Sequence, residues 1–259
     1  MSNEYMLGAE PLYLSGSRTG VLLLHGAGGG TAWDFRDFAT LLHGRTRMTV
    51  WLPTLAGFGT KPEDLIGIRF DDWLSDADRG VEKLLEVCDS IVVVGHSVGG
   101  LMALLLASER ETIEKVVTWS TPVGVQYRLL RMLPVIRRIP LVKRIIPERI
   151  PVPVPEEVRQ QGWVGYDWIP PAVGLAVVDG LKRLKRALGK VTCPVFVIQG
   201  SADTTVSRDS AKRIYDGIAS EKKELWIVDG ADHPIMNDMR CRDELFRRTW
   251  DFLLSGSTS

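Results

Sequence analysis

One short segment, residues 91–99, constrains the fold of this 259-residue chain more strongly than any other. It begins with Ile-Val-Val-Val, a run typical of a buried strand, continues as Gly-His-Ser-Val-Gly, and leads into the helix-forming stretch 101–108. The glycines let the backbone turn sharply from strand to helix, and such a turn lifts the hydroxyl of Ser97 out of the sheet. Unpaired N–H groups at the start of the helix would stabilise a nearby oxyanion. The segment therefore predicts a nucleophilic serine.

Strand-like and helix-like patterns alternate along most of the chain. Short apolar runs predict strands at residues 21–24, 48–52, 91–94, 115–119, 195–199 and 225–228. Helical spacing of apolar residues predicts helices at about 32–42, 71–87, 101–108, 207–219 and 242–254. This alternation is typical of a parallel sheet with helices on both faces, so we predict an α/β fold with a mostly parallel central sheet.

The stretch 122–189 interrupts this alternation. It has no clear strand, and eight prolines fall between positions 134 and 171. Because proline ends helices, we expect short amphipathic helical pieces here. Open α/β sheets bind ligands at the carboxyl ends of their strands, so an insertion at that edge would cover the pocket. The chain is thus divided into a core, residues 1–121 and 190–259, and an inserted helical cap, residues 122–189.

A serine nucleophile needs a general base, and the chain has four histidines. His233 follows the predicted strand 225–228, which places it at the same edge of the sheet as Ser97 and makes it the best candidate. Asp203 follows the predicted strand 195–199 and would fix the tautomer of that histidine. The sequence therefore predicts a triad in the chain order serine, aspartate, histidine.

Two other carboxylates compete with Asp203 for the role of the triad carboxylate that orients His233. Asp232 adjoins His233, and the side chains of neighbouring residues rarely face each other productively. Asp229 would have to fold back on the histidine within one short loop. Asp203 is therefore preferred.

A glycine-rich loop, residues 26–30, follows the first predicted strand and lets the backbone approach a substrate closely. The amides of Ala27 and of Val98, the residue after the nucleophile, are the expected donors of an oxyanion hole. The same loop lacks the Gly-Lys-Ser/Thr ending of a phosphate-binding loop, so a nucleotide site fits poorly.

These motifs resemble those of the α/β-hydrolase superfamily over nearly the whole chain, and most closely those of its carboxylesterase and monoacylglycerol lipase branch. The resemblance implies an α/β-hydrolase fold and ester hydrolysis through an acyl-enzyme, with no cofactor. The chain departs from the family pattern at Phe58, where histidine is common, and at Asp232, where glycine is common. The matching pieces are Leu22-Leu23-Leu24-His25-Gly26, Pro53-x-Leu55-x-Gly57-x-Gly59, Gly95-His96-Ser97-Val98-Gly99-Gly100, residues 194–200 with Asp203, and His233.

Several functions share this triad. Monoacylglycerol lipases, thioesterases and C–C bond hydrolases remain alternatives to a carboxylesterase, with a small-molecule ester as the first expectation. Haloalkane dehalogenases and epoxide hydrolases are disfavoured because they carry aspartate where Ser97 stands. A non-catalytic, hydrolase-like binding protein is an alternative of another class, and the intact triad argues against it.

Aromatic residues near the pocket are expected to influence substrate selection. Trp163, Tyr166 and Trp168 lie late in the cap range, and Trp33 follows the glycine loop. They would line an acyl pocket or, equally, pin the cap to the core. His96 would contact substrate or simply pack against the turn.

The cap range also carries an excess of positive charge, with seven basic residues and one acidic residue between positions 121 and 150. Basic amphipathic segments can bind weakly to an anionic membrane surface. The favoured interpretation is a cap whose apolar face covers the active site while its basic face is solvated. The basic residues are Arg128, Arg131, Arg137, Arg138, Lys143, Arg144 and Arg149.

The overall composition excludes several other classes. The formal net charge is zero, so nothing suggests a nucleic-acid partner. The three cysteines are widely spaced, which predicts reduced thiols in a cytoplasmic protein rather than disulfides or a metal site. No charged-then-apolar signal pattern opens the sequence, and no apolar run reaches the roughly 18 residues of a spanning helix.

Overall fold

The computed structural model describes residues 4–124 and 147–255. Its strands are β1 Leu12–Leu14, β2 Ser17–Leu24, β3 Met48–Leu52, β4 Ser90–His96, β5 Ile113–Trp119, β6 Ile150–Pro151, β7 Trp168–Ile169, β8 Val195–Gly200 and β9 Lys223–Val228. A seven-stranded sheet with the order β1-β3-β2-β4-β5-β8-β9 forms the centre of this part of the chain, and β6 and β7 pair separately. Within the large sheet β1 runs antiparallel to β3, and every other neighbouring pair is parallel.

Helices cover both faces of the sheet. Helices α2, α3, α5 and α6 pack on one face, and α1 and α7 pack on the other. Short 3₁₀ turns occur at Pro62–Leu65, Leu188–Lys190 and Ile235–Asn237. The helices are α1 Trp33–Thr46, α2 Phe70–Leu85, α3 Val98–Glu109, α4 Glu156–Gln160, α5 Pro171–Ala187, α6 Ser210–Gly217 and α7 Arg242–Leu254.

Strand β2 shows why the central strands are apolar at consecutive positions. Leu22 and Leu24 belong to the core beneath α2 and α3, whereas Val21 and Leu23 belong to the core beneath α1 and α7. Side chains alternate between the faces of a strand, so a sheet that is covered on both sides needs apolar residues at every position. The α/β fold and the mostly parallel sheet predicted from the sequence are confirmed.

The structure differs from the sequence-based prediction in the start of one strand and in the length of one helix. Strand β2 begins at Ser17, four residues before the predicted start, because Thr19 pairs with Ser90 of β4 despite its polar surroundings. The prolines of the predicted cap range indicated only short helical pieces, whereas helix α5 continues for 17 residues. Pro171 occupies the first turn of the helix, where no backbone N–H is needed.

Helix α5 lies within the predicted cap range but packs against the core. Leu184 is fully buried in the cluster that also contains α2 and α3. Gly180 contributes to this packing, because a Cβ at this position would overlap the ring of Phe70 in α2. Residues 171–187 are therefore part of the helical layer over the sheet. The separate cap stays a prediction for the rest of its range, of which residues 125–146 lie outside the described part of the chain.

Candidate active site

Ser97 occupies the turn between β4 and α3. Its backbone has φ +53° and ψ −119°, a conformation that non-glycine residues rarely adopt. The flanking glycines make this turn feasible. A Cβ on Gly95 would overlap the backbone of Gly99, and a Cβ on Gly99 would overlap the carbonyl oxygen of Leu24. The strained backbone leaves the Ser97 side chain at the carboxyl end of β4, as the sequence predicted.

His233 and Asp203 meet Ser97 at this edge of the sheet. The Nε2 atom of His233 lies 3.2 Å from Ser97 Oγ, and its Nδ1 atom lies 3.0 Å from Asp203 Oδ2. Ser97 follows β4, Asp203 follows β8 and His233 follows β9. These strands are parallel, so their carboxyl ends lie at the same edge. The structure therefore brings the three predicted residues together in hydrogen-bonding order.

The carboxylate of Asp203 is almost completely buried and fully engaged. Its Oδ1 atom accepts hydrogen bonds from the amides of Thr205 (2.9 Å) and Val206 (2.7 Å). Burial alone would raise the pKa of Asp203, but the hydrogen bond from His233 and these two amides outweigh burial and lower that pKa. Asp203 is thus held as a carboxylate facing the Nδ1 atom of His233.

The competing carboxylates point elsewhere. Asp229 accepts a hydrogen bond from the hydroxyl of Ser201 at 3.3 Å. Asp232 accepts hydrogen bonds from Thr204 and from the backbone amide of His233. Neither carboxylate is bonded to the imidazole ring of His233, so the geometry favours Asp203 as its partner.

The glycine loop lies directly beside the nucleophile. A Cβ on Gly26 would lie 3.1 Å from the Cβ of Ser97. Ala27 and Val98, the two predicted oxyanion donors, are both buried, and their amides have no backbone partner within the described residues. Val98 is the first residue of α3, where helix geometry leaves the N–H free. The loop and the start of α3 can therefore each offer one amide to an oxyanion.

His25 supports this loop from beneath. Its Nδ1–H donates to the carbonyl of Gly26 at 2.8 Å, and its Nε2 accepts from the amide of Leu55 at 3.1 Å. Burial lowers the pKa of His25 to about 4, so the ring stays neutral near pH 7 and can make both bonds. Phe58 stands where members of the α/β-hydrolase superfamily often carry histidine. Its ring packs edge-on against His25, with ring centroids 5.2 Å apart.

His96 contacts the backbone of the candidate base. Its Nε2–H donates to the carbonyl oxygen of His233 at 3.1 Å, and the two rings lie 4.9 Å apart. Burial, with a further contribution from nearby His233, lowers the pKa of His96 to about 3. The side chain is therefore a buried, neutral hydrogen-bond donor to the loop of His233.

The aromatic residues of the cap range have well-defined partners. The hydroxyl of Tyr166 donates to Gly57 O and accepts from the Thr60 amide, both at 2.9 Å. The ring of Trp168 lies 4.5 Å beneath the guanidinium of Arg149 and lines a cleft of about 620 Å³ that also includes Ile66. The hydrogen bonds of Tyr166 thus tie the end of the cap range to the core.

Trp163 and Trp33 lie near the carboxylate of Asp34, which no sequence pattern indicated as a site residue. Asp34 lies in the first turn of α1, near the side chains of Trp163 and Asn237. Burial raises its pKa to about 7, although these two polar neighbours oppose the rise. Trp33 begins the same helix and packs beside Gly8. An acidic residue in a first helical turn is common on protein surfaces, so no pattern distinguishes Asp34 from an ordinary helix start.

Among the described residues, no helix is long and apolar enough to cross a membrane. The same residues contain no group of three side chains suited to holding a metal ion.

A serine on a strand-to-helix turn, with histidine and aspartate supplied by later parallel strands, defines a hydrolase of the α/β type. Residues 21–247 match the model of the Alpha/beta hydrolase family. The chain belongs to this family.

Characterised relatives are similar over nearly the full length of the chain. It is 30% identical over 227 residues to a thermostable monoacylglycerol lipase of Bacillus sp. (strain H-257), with 87% of each chain covered. It is 26% identical over 245 residues to a carboxylesterase of Bacillus subtilis (strain 168), covering 94% of this chain and 96% of the relative. A solved structure from the metagenome-derived lipolytic enzymes LipS and LipT superposes with a TM-score of 0.86 at 26% identity, covering 96% of this chain and 99% of that chain.

Proposed function

We propose that the chain hydrolyses carboxylic esters, with Ser97 as nucleophile, His233 as general base and acid, and Asp203 as the carboxylate that orients the histidine. The observation that carries this proposal is the continuous path from Ser97 Oγ through both ring nitrogens of His233 to Asp203. The family and its lipase and carboxylesterase relatives support ester hydrolysis as the reaction.

In the first half of the reaction, His233 Nε2 takes the hydroxyl proton of Ser97 as its oxygen attacks the ester carbonyl. The amides of Ala27 and Val98 stabilise the resulting oxyanion, and each such donor contributes about 3–4 kcal/mol in comparable sites. The C–O bond to the alcohol then breaks, and His233 donates its proton to the departing alcohol oxygen. The product of this half is an acyl-enzyme on Ser97.

In the second half, His233 takes a proton from water as the water oxygen attacks the acyl carbonyl. The bond between the acyl carbon and Ser97 Oγ breaks, and the proton returns to the serine. Asp203 stays ionised throughout and stabilises the imidazolium. No cofactor or metal is needed for any of these steps.

The test of this proposal is labelling with a fluorophosphonate probe together with hydrolysis of p-nitrophenyl butyrate. We expect one labelled peptide, containing Ser97, and activity near background in Ser97→Ala. Ser75→Ala is the matched control, since this serine is exposed on α2 and should leave both readouts unchanged. Substantial activity in folded Ser97→Ala would reject the assignment, and an unlabelled, inactive wild type would favour a non-catalytic binding protein.

Monoacylglycerols are the substrates that we propose to test first, because the relative at 30% identity is named a monoacylglycerol lipase. A chain-length series of p-nitrophenyl esters, compared with monoacylglycerol and acyl-CoA, would separate esterase, lipase and thioesterase activity. The contacts of Tyr166 with the core support a cap over the pocket.

Weak contact of the basic cap range with an anionic membrane surface is a further proposal, which co-sedimentation with anionic vesicles at low salt would test. Of the seven basic residues between positions 121 and 150, six lie outside the described part of the chain.

A cytoplasmic location is also a proposal. It is supported by the three free cysteines, because unpaired thiols are typical of reducing compartments. Fractionation of the native host with an antibody to the protein would test it.

A further inference from the structure

The loops after β8 and β9, which carry Asp203 and His233, are joined beyond the end of the sheet. The last paired residues are Gly200 and Val228. Two backbone hydrogen bonds then continue the connection, from Ser201 N to Val228 O (2.8 Å) and from Ala202 N to Ala231 O (3.0 Å). After Ala202 the two backbones no longer bond to each other within the described residues, although both catalytic side chains lie further on.

The side chain of Asp232 continues the connection at this point. Its Oδ1 atom accepts hydrogen bonds from the backbone amide of Thr204 (2.8 Å), the hydroxyl of Thr204 (3.0 Å) and the backbone amide of His233 (2.8 Å). One carboxylate oxygen thus joins the residue directly after Asp203 to the backbone of His233 itself.

The backbone of His233 is held on its other side as well. Its carbonyl oxygen accepts from His96 Nε2 at 3.1 Å and from the amide of Ile235 at 2.8 Å. Both polar backbone groups of the candidate base are therefore fixed, with Asp232 bonded to the N–H. We propose that Asp232 is a positioning residue that sets the His233 imidazole between Ser97 and Asp203, a role that rests on the proposed function of this triad.

The proposal assigns this role to hydrogen-bond acceptance rather than to negative charge. Asp232 is exposed, so water and salt screen its charge. Three hydrogen bonds to one oxygen instead constrain the relative position of two loops, and a displacement of about 1 Å at a reacting group can cost 100-fold in rate. Asparagine at this position keeps a carbonyl oxygen that can accept the same bonds, whereas alanine does not.

Asp229 provides the matched control. It lies in the same loop, carries the same charge and is exposed. Among the described residues, however, its side chain accepts only the Ser201 hydroxyl, at 3.3 Å, and makes no bond to the backbone of His233. Asp229→Ala therefore removes the same charge from the same loop. It also removes this longer contact with Ser201 but leaves the bonds of Asp232 to Thr204 and His233 in place. Thr204→Val removes the hydroxyl donor and keeps the amide donor.

The experiment measures kcat and KM of purified wild type, Asp232→Asn, Asp232→Ala, Asp229→Ala and Thr204→Val on p-nitrophenyl butyrate, with thermal melts to verify folding. We expect Asp232→Ala to lower kcat by about 10- to 100-fold with little change in KM. Asp232→Asn and Asp229→Ala should stay within about threefold of wild type, and Thr204→Val should lie between the two groups.

Wild-type kcat in folded Asp232→Ala would overturn the proposal. So would an Asp232→Asn variant as slow as the alanine variant, because that result would assign the effect to charge. The low-field proton NMR signal of His233 Nδ1–H provides a readout that needs no turnover, and it should broaden or shift in Asp232→Ala and persist in Asp229→Ala. An inactive wild type that still shows this contrast would reject the proposed function and retain the positioning role.

Discussion

The Nδ1 atom of His233 lies 3.0 Å from Oδ2 of Asp203, a carboxylate whose side chain is fully buried. The other oxygen of Asp203 is occupied by two backbone amides, so the carboxylate cannot rotate away from the ring without losing those bonds. The imidazole is consequently kept with its proton on Nδ1 and its Nε2 lone pair facing Ser97.

Asp203→Asn should therefore impair chemistry far more than folding. An asparagine amide can donate to Nδ1, and that bond favours the tautomer with the proton on Nε2, which cannot accept the serine proton. We expect kcat to fall by about 10⁴-fold, the loss that the wrong tautomer causes in a comparable triad. Asp216→Asn, an exposed change on α6, is the control and should keep wild-type kcat. A loss of less than tenfold in folded Asp203→Asn would argue for a different acid.

Asp34 should make stability depend on pH in the opposite direction from a typical ion-paired carboxylate. Its folded-state pKa is raised from 3.8 to about 7, first by burial, so between these values the folded state binds more protons than the unfolded state. Stability contributed by the neutral carboxyl is complete below about pH 4 and is lost as the pH rises towards 7. We expect the melting temperature of wild type to fall across this range relative to that of Asp34→Asn.

Melts of both proteins at half-unit intervals from pH 4 to pH 8 would measure this difference. Asp37→Asn is the control, because Asp37 lies on the same helix with a mostly exposed side chain. Parallel curves for wild type and Asp34→Asn would show that the Asp34 carboxyl titrates as an ordinary exposed acid.

The triad was predictable from sequence because it depends on topology. Ser97, Asp203 and His233 each lie in the turn or loop that follows a strand containing an apolar run, and parallel strands bring their carboxyl ends to one edge whatever the detailed packing. The strained backbone of Ser97 was predictable for a related reason, since Gly95 and Gly99 remove the Cβ atoms that would block the turn. These features follow from local pattern and chain order alone.

The connections around the triad were not predictable, because they depend on where side chains from distant loops come into contact. Asp232 was considered as a partner of the His233 ring and is instead bonded to Thr204, 28 positions earlier in the chain. Asp34 faces Trp163 across more than a hundred residues, and neither position belongs to a periodic pattern. The length of helix α5 was not predicted for a local reason, since a proline is compatible with both the start of a helix and its end.

Tyr166 bonds to the core in the structure, and this contact favours one of the two roles that the sequence left open for it. The sequence allowed this residue either to line an acyl pocket or to pin the cap to the core. In the structure its hydroxyl bonds to Gly57 and Thr60, its backbone N–H donates to Gly29 at 2.8 Å, and its ring stacks on Phe58 with centroids 6.0 Å apart. These contacts join the cap range to two loops of the core.

Tyr166→Phe should therefore act on stability rather than on acyl-chain preference. Loss of the hydroxyl leaves one carbonyl and one amide without their partner, which should lower the free energy of unfolding by about 1–2 kcal/mol. Tyr13→Phe is the control, since Tyr13 is 40% exposed and its contact with Lys83 involves only the ring. Denaturant melts, together with hydrolysis of p-nitrophenyl esters of two to twelve carbons, would separate the two roles. The ester series spans about ten CH₂ groups, and each CH₂ contributes about 0.8 kcal/mol if the pocket buries it. A shifted chain-length optimum with unchanged stability would assign Tyr166 to the pocket, because only a residue that contacts the acyl chain would change which chain fits.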